Sequence, residues 1–124
     1  MKTVIKTTKS FKRQAKPLLK KYASLPGELR QLEKDLSTNP YLGTEVIKGI
    51  YKIRLAIKSK GKGKSGGARV IAFHEEETVI IGILEQTEDT EHIINLISIY
   101  DKSEVENISD SEIKRLIENM EIED

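Results

Sequence analysis

A basic, glycine-rich stretch in the middle of the chain is the part of the sequence best suited to chemistry. It runs from Lys60 to Arg69 and contains three lysines, four glycines and one arginine. Glycines let a backbone approach a ligand closely, and lysine and arginine side chains can surround a phosphate group. The stretch therefore indicates a phosphate-bearing partner, and the competing interpretation is an ordinary solvated run of charges.

Arg69, Tyr100 and Lys102 are candidates for a shared site. Arg69 begins a predicted strand, which would hold its planar guanidinium in place to contact two phosphate oxygens. Tyr100 and Lys102 are two residues apart at the end of the last predicted strand, so they share one side of it. The three side chains converge if that strand end neighbours Arg69. In the competing interpretation Tyr100 is a half-buried core aromatic and Lys102 is a surface charge.

Other kinds of site fit the sequence poorly. Gly63-Lys64-Ser65 lacks the glycine that a P-loop has five residues earlier, and the stretch leads into a predicted strand rather than a helix. The two histidines, His74 and His92, match no common metal-binding spacing, so we predict no metal site and no cofactor. Because the chain contains no cysteine, disulfides and thiolate sites are excluded.

The charges are divided unevenly along the chain. Residues 1–73 carry 18 Lys and Arg against 4 Asp and Glu, whereas residues 74–124 carry 3 against 16, although the net charge is only +1. Between Val46 and Arg69 there is no carboxylate at all. Such a segment favours a polyanionic partner. The acidic run Glu75 to Glu77 is predicted to be a solvated turn.

The periodicity of apolar residues predicts one α+β domain spanning residues 1–124. We expect an N-terminal strand at 3–7, a helical hairpin near 11–22 and 25–36, and a C-terminal helix capped by Ser109. Ser10 and Ser24 are the candidate caps of the hairpin helices, and Pro17 should kink the first helix or delay its start. Further strands are expected at 50–57, 68–74, 78–84 and 92–101, giving a sheet of about five strands. In the strand at 50–57, one face would be apolar and the other basic.

No apolar run is long enough for a membrane helix, and the amino end has no signal-peptide pattern. We therefore expect a cytoplasmic protein without a membrane partner.

Three segments resemble a known protein family: YKIRL at 51–55, KGKGKSGGARVI at 60–71 and IYDKSE at 99–104. They are similar to the RelE/ParE superfamily of toxins, in particular to its HigB-like members, and the resemblance covers nearly the whole chain. It implies a strand and a helical hairpin packed on a curved antiparallel sheet, followed here by a C-terminal helix.

The resemblance implies the toxin of a type II toxin–antitoxin system, an mRNA interferase that enters the ribosomal A site and inhibits translation. Such an endoribonuclease needs no metal and no small-molecule cofactor, and its partners are messenger RNA, the ribosome and a cognate antitoxin. The ribose 2′-hydroxyl attacks the adjacent phosphate, which requires a base, cations for the accumulating charge, and an acid for the leaving oxygen.

The same resemblance implies a role for each candidate residue. Arg69 would stabilise the transition state, and Tyr100 or Lys102 would assist proton transfer or stack on a base. Lys62 and Lys64 would hold phosphates and supply the base, because crowding by cations lowers a lysine pKa from its usual value of about 10.4. The expected contacts to RNA or the ribosome are Lys52, Arg54, Lys58 and Lys60.

The superfamily also includes gyrase inhibitors without nuclease activity. A gyrase-directed toxin and a catalytically inactive RNA-binding relative are therefore alternatives to the nuclease.

Overall fold

The computed structural model describes residues 2–61, 66–81, 87–105 and 107–123. The elements, in chain order, are β1 (Lys2–Thr7), α1 (Lys9–Lys21), α2 (Leu25–Thr38), β2 (Thr44–Ile47), β3 (Ile50–Leu55), a short 3-10 helix (Lys58–Lys60), β4 (Ala68–Ile81), β5 (Thr87–Asp101) and α3 (Asp110–Glu118). This arrangement confirms the predicted α+β class.

The five strands form one mixed sheet in the order β1-β5-β4-β3-β2. The pairs from β2 to β5 are antiparallel, as predicted, but β1 pairs with β5 in parallel. A parallel pair requires a long crossover between its strands, and here the chain between β1 and β5 includes the helical hairpin and the other three strands. The strand β5 lies inside the sheet, which explains why its second part, from Ile93 to Tyr100, is mostly apolar.

The sheet separates two apolar cores. The larger core lies between the sheet and the helices α1 and α2, on what we call the helical-hairpin face. The smaller core lies on the opposite face, where Ile113 of α3 packs with Ile71, Ile97 and Tyr100. The chain after α3 is fixed to the start of the fold, because Glu123 N–H donates to the Thr7 carbonyl at 2.9 Å. This opposite face, covered in part by α3, is called the α3 face below.

The N-terminal caps of α1 and α3 test two predictions from the sequence. Thr8 caps α1 by accepting a hydrogen bond from Phe11 N–H at 3.2 Å, so the prediction of Ser10 as the cap was wrong. Pro17 lies inside α1, which continues to Lys21. The predicted cap of α3 is confirmed, since the Ser109 hydroxyl accepts from Glu112 N–H. Among the described residues, no helix is long and apolar enough to span a membrane.

The strand β4 corrects two expectations. Residues 68–81 form one strand, so the predicted turn at Glu75 to Glu77 was wrong. The next strand begins at Thr87, five residues before its expected start at residue 92. Glutamate has a low β-propensity, but continuous pairing of β4 with β5 outweighs it. The expected strands at 68–74 and 78–84 are a single strand, β4, and the strand β2 was not expected. The sheet therefore still has five strands.

Candidate nucleic-acid-binding site

Arg69 lies at the centre of the candidate site, on β4. It is directly opposite Arg54 of β3 on one side and Tyr100 of β5 on the other. Directly opposed residues have their Cβ atoms about 4.5–5.5 Å apart, so the three side chains are neighbours on one face of the sheet. Arg69 and Tyr100 are therefore brought together, as the convergence inferred from the sequence requires. The face is the α3 face, because Arg69 alternates with Val70 of the hairpin-side core.

Two lysines extend this group. Lys52 is opposite Ile71, two positions along β4 from Arg69, and therefore shares its face. Lys102 follows β5 directly, and its backbone N–H donates to the Gly67 carbonyl at 3.0 Å, which keeps it beside the start of β4. Burial lowers the pKa of Lys52, and repulsion from the Lys102 and Arg69 cations lowers it further. We define the basic cluster as Lys52, Arg54, Arg69, Tyr100 and Lys102.

The central members of the basic cluster are held firmly. Arg69 is only 5% exposed and Tyr100 only 8%, whereas Arg54 is exposed. One Arg69 guanidinium N–H donates to the Ala68 carbonyl at 3.1 Å. Burial raises the pKa of Tyr100, and the Arg69 cation opposes that rise in part. The phenol therefore keeps its proton at neutral pH and can act as a hydrogen-bond donor.

The segment before α3 borders the basic cluster. The Lys52 ammonium donates to the Asn107 side-chain carbonyl at 2.6 Å. A hollow of about 450 Å³ opens beside Tyr100, and its other lining residues come from α1, β5 and the start of α3, including Gln14, Ser98, Asn107 and Glu112. Its volume lies within the range of roughly 300–1,000 Å³ that is usual for small-molecule pockets.

Lys60 lies apart from the basic cluster, in a polar network around Asp101. The Asp101 carboxylate accepts hydrogen bonds from the Lys60 ammonium and the Tyr22 hydroxyl, and from Ser103 N–H at 2.9 Å. The Lys60 side chain is 12% exposed and that of Asp101 is fully buried. The ammonium expected to contact RNA is thus engaged by a carboxylate of the fold itself.

The pKa of Asp101 reflects this network. Burial alone raises the pKa, but the hydrogen bonds from Lys60, Tyr22 and Ser103 outweigh it and hold the pKa well below its usual range. The carboxylate is therefore ionised at neutral pH. It ties the end of α1 and the 3-10 helix to the end of β5, next to the basic cluster.

The remaining predicted residues are placed differently. Lys58 is exposed in the 3-10 helix and lines a groove of about 800 Å³ between α2 and the outer edge of β3. Arg54 and Lys52 line the same groove. Lys62 and Lys64, the predicted phosphate contacts and candidate bases, lie outside the described residues.

The acidic residues of β4 are remote from the basic cluster. Glu76 is seven residues along the strand from Arg69, which corresponds to about 23 Å at the usual rise of a strand. The acidic run Glu75 to Glu77 therefore does not neutralise the cations around Arg69.

Sequence reasoning missed two features. The partners of Asp101 lie 41 and 79 residues away along the chain, so no local pattern signals the network. The second feature is a group formed by His74, Glu76 and His92. The spacing of His74 and Glu76, two residues apart on one strand, could have indicated that they share a face. Comparisons of the chain with protein-family models and with solved structures found no match.

Proposed function

We propose that the protein is the toxin of a type II toxin–antitoxin pair, an endoribonuclease that cuts messenger RNA on the ribosome. The observation that carries the proposal is the position of Arg69 between Arg54 and Tyr100, with Lys52 and Lys102 beside them. Four cations around one phenol form a surface suited to a phosphodiester and its flanking bases.

The architecture supports the same proposal. The resemblance to RelE/ParE toxins implies a strand, a helical hairpin, an antiparallel sheet and a C-terminal helix, and the chain has elements of these types in this order. Within that order, the three segments that carry the resemblance are brought close together. Residues of β3 lie opposite β4, and those of β4 lie opposite the end of β5.

The proposal gives each group a role in the reaction. The ribose 2′-oxygen forms a bond to phosphorus while the bond from phosphorus to the 5′-oxygen breaks, leaving a 2′,3′-cyclic phosphate and a 5′-hydroxyl. Arg69 would stabilise the negative charge that accumulates on the phosphate oxygens. The base would take the proton of the 2′-hydroxyl, and Tyr100 would give its phenolic proton to the leaving 5′-oxygen. Tyr100 carries that proton at neutral pH because burial raises its pKa.

Lys52 is the described residue best suited to be the base. Its pKa is lowered by burial and by two neighbouring cations, so its neutral form is more accessible than that of an ordinary lysine. Crowding of this kind was expected for Lys62 and Lys64 from the sequence. Arg69 is nearly buried, whereas the neighbouring Arg54 is exposed. An approaching phosphate would therefore meet the Arg54 side chain before it contacts Arg69.

The partners follow from the proposed activity. The substrate would be messenger RNA in the ribosomal A site, so the protein would act in the cytoplasm. A cognate antitoxin would neutralise it by covering the basic cluster and competing for its cations.

The experiment is induction of the protein in cells, followed by mapping of messenger RNA ends. The nuclease proposal expects new 5′-hydroxyl ends within translated regions, at a fixed position relative to the reading frame. Replacing Arg69 with Ala should remove these ends. Arg30→Ala on α2, an exposed arginine away from the basic cluster, is the matched control and should leave them unchanged.

The alternatives give different results. A gyrase inhibitor would cause DNA damage while messages remain intact. A catalytically inactive RNA-binding relative would bind RNA without producing new ends. Either result, obtained with a folded wild-type protein, would exclude the proposed nuclease.

A further inference from the structure

A second group of polar side chains lies on the helical-hairpin face of the sheet. His74 and Glu76 are two residues apart on β4, so they share a face, and Glu76 is directly opposite His92 of β5. His74 Nε2 and His92 Nδ1 are 2.8 Å apart, and the Glu76 carboxylate lies 4.0 Å from His92 Nδ1. One ligand atom from each residue lies within 4.8 Å of the other two.

The two imidazoles point at each other as two ligands of one cation would. Their nitrogens share a single proton in a hydrogen bond, and a metal ion in its place would accept both lone pairs. In a tetrahedral zinc site with Zn–N bonds of about 2.05 Å, two ligating nitrogens are roughly 3.3 Å apart. The present separation is 2.8 Å, so the nitrogens need to move apart by about 0.5 Å, and the rings need to rotate until both lone pairs point at the ion.

Both imidazoles are buried. His74 is 9% exposed and His92 is 4% exposed. Buried side chains are held in place by packing, which fixes the two ligand nitrogens close to each other.

Glu76 can complete the set of ligands. Its side chain is 51% exposed and is therefore free to turn toward the imidazoles. Tyr41 orients it, because the Tyr41 hydroxyl donates a hydrogen bond to the Glu76 carboxylate. The Tyr41 ring also packs on the rings of His74 and His92, with centroid separations of 4.5 Å and 5.6 Å. Such contacts around the ligands fix their orientation.

We propose that His74, Glu76 and His92 bind one zinc-type divalent cation, with water in the fourth position. Two imidazoles and one carboxylate form a known zinc donor set, and nitrogen ligands favour Zn²⁺ over Mg²⁺. The ion would clamp β4 to β5 and hold the Tyr41 segment against them. The site is five residues along β4 from Arg69 and on the opposite face, so it does not depend on the proposed nuclease activity.

Titration of the purified metal-free protein with Zn²⁺ alone tests the site. Isothermal titration calorimetry should show one ion bound per chain, and Mg²⁺ at the same concentration should not bind. The chain has only two histidines, so ¹⁵N spectra of the imidazoles are easy to assign. On addition of Zn²⁺, the His74 Nε2 and His92 Nδ1 resonances should both shift. The proton that they share should move to the ring nitrogen that lacks one, so that the second nitrogen of each ring is protonated in the bound form.

Variants locate the ligands. Glu76→Gln should weaken Zn²⁺ binding by more than about tenfold and Tyr41→Phe by about tenfold, since lost support of a ligand typically costs 10–100-fold. Glu77→Gln is the matched control, because Glu77 is exposed and points to the other face of the same strand. It should bind Zn²⁺ as the wild type does. His74→Gln and His92→Gln should each abolish binding.

Three results would overturn the site. They are the absence of Zn²⁺ binding by folded wild-type protein, unshifted imidazole resonances in the presence of bound Zn²⁺, and equal binding by Glu76→Gln and Glu77→Gln. The last two comparisons use the wild type and exposed positions, so they remain decisive even where a histidine variant fails to fold.

Discussion

Substitution of Asp101 should strongly lower the stability of the protein, because its carboxylate is buried and is hydrogen-bonded to three residues. Asp101→Asn preserves the shape of the side chain but removes its charge, which leaves the Lys60 ammonium, 12% exposed, without a counter-ion. Removing one partner of a buried ion pair costs about 3–5 kcal/mol. The asparagine oxygen can still accept from the Tyr22 hydroxyl, a bond that contributes about 1 kcal/mol.

The expected loss in the free energy of unfolding is therefore about 3 kcal/mol, which corresponds to a fall in Tm of about 12 °C for a chain of this length. Urea and thermal unfolding measure it. Lys60→Met should destabilise the protein by a similar amount. The double variant Asp101→Asn/Lys60→Met should lose at least 1 kcal/mol less than the sum of the two single losses. Lys9→Met is the matched control. Its ion pair with Glu121 joins side chains that are 60% and 65% exposed, so the change should stay below about 0.5 kcal/mol.

Two results would contradict this prediction: a loss below about 1 kcal/mol for Asp101→Asn, or losses of the two single variants that simply add. Either result would mean that the carboxylate and the ammonium do not depend on each other in the folded protein.

Three further predictions concern the elements around the basic cluster. The folded-state pKa of Asp101 lies below its unfolded value of about 3.9, so the stability that the carboxylate contributes is complete above that pH and is lost as the pH falls below it. In urea unfolding between pH 2 and 6, the free energy of unfolding should therefore fall less steeply with acid in Asp101→Asn than in the wild type. Gly67→Ala places a Cβ 2.1 Å from the Leu55 carbonyl oxygen and should lower the free energy of unfolding by about 2–3 kcal/mol. Gly27→Ala in α2, where the nearest atom is 3.9 Å away, should stabilise the protein by about 0.5 kcal/mol. Equal Tm values for the two variants would contradict this packing. Ser109→Ala removes the cap of α3 and should cost about 1 kcal/mol, measured as a lower midpoint in urea, and an unchanged midpoint would show that the cap does not hold α3 over the sheet.

The proximity of Arg69 and Tyr100 was predicted only on the condition that their strands are neighbours, and the separate strand expected at 78–84 would have come between them. In the structure, residues 68–81 are one strand that pairs with β5. A hairpin from β4 to β5 necessarily brings the start of the first strand next to the end of the second. The alternation of β3 also predicted correctly that Ile53 and Leu55 pack in the hairpin-side core while Lys52 and Arg54 face the other way.

The group formed by His74, Glu76 and His92 was not predicted, because a turn was expected at Glu75 to Glu77. That expectation ended the strand where the group lies and hid the register that sets Glu76 against His92. The short strand β2 was missed for another reason. Its four residues have only one half-buried side chain, so alternation gives almost no signal.

Lys60 shows a limit of reading charge from sequence. A lysine in a basic, glycine-rich stretch is expected to face a polyanion, yet its partner Asp101 belongs to the acidic half of the chain. The ionic partner of a side chain is decided by tertiary contacts, which composition does not encode.

The most direct test of the proposed function is single-turnover cleavage of a defined messenger RNA on programmed ribosomes. The wild type should cut in the A site and leave a 2′,3′-cyclic phosphate, and a 2′-deoxy nucleotide at the scissile position should prevent the cut. Folded Arg69→Ala should be slower by about 10²–10³-fold, as is usual for loss of one group that stabilises a transition-state oxyanion. Cleavage by Arg69→Ala at the wild-type rate, or cleavage of the 2′-deoxy substrate, would contradict the assignment of the basic cluster as the active site.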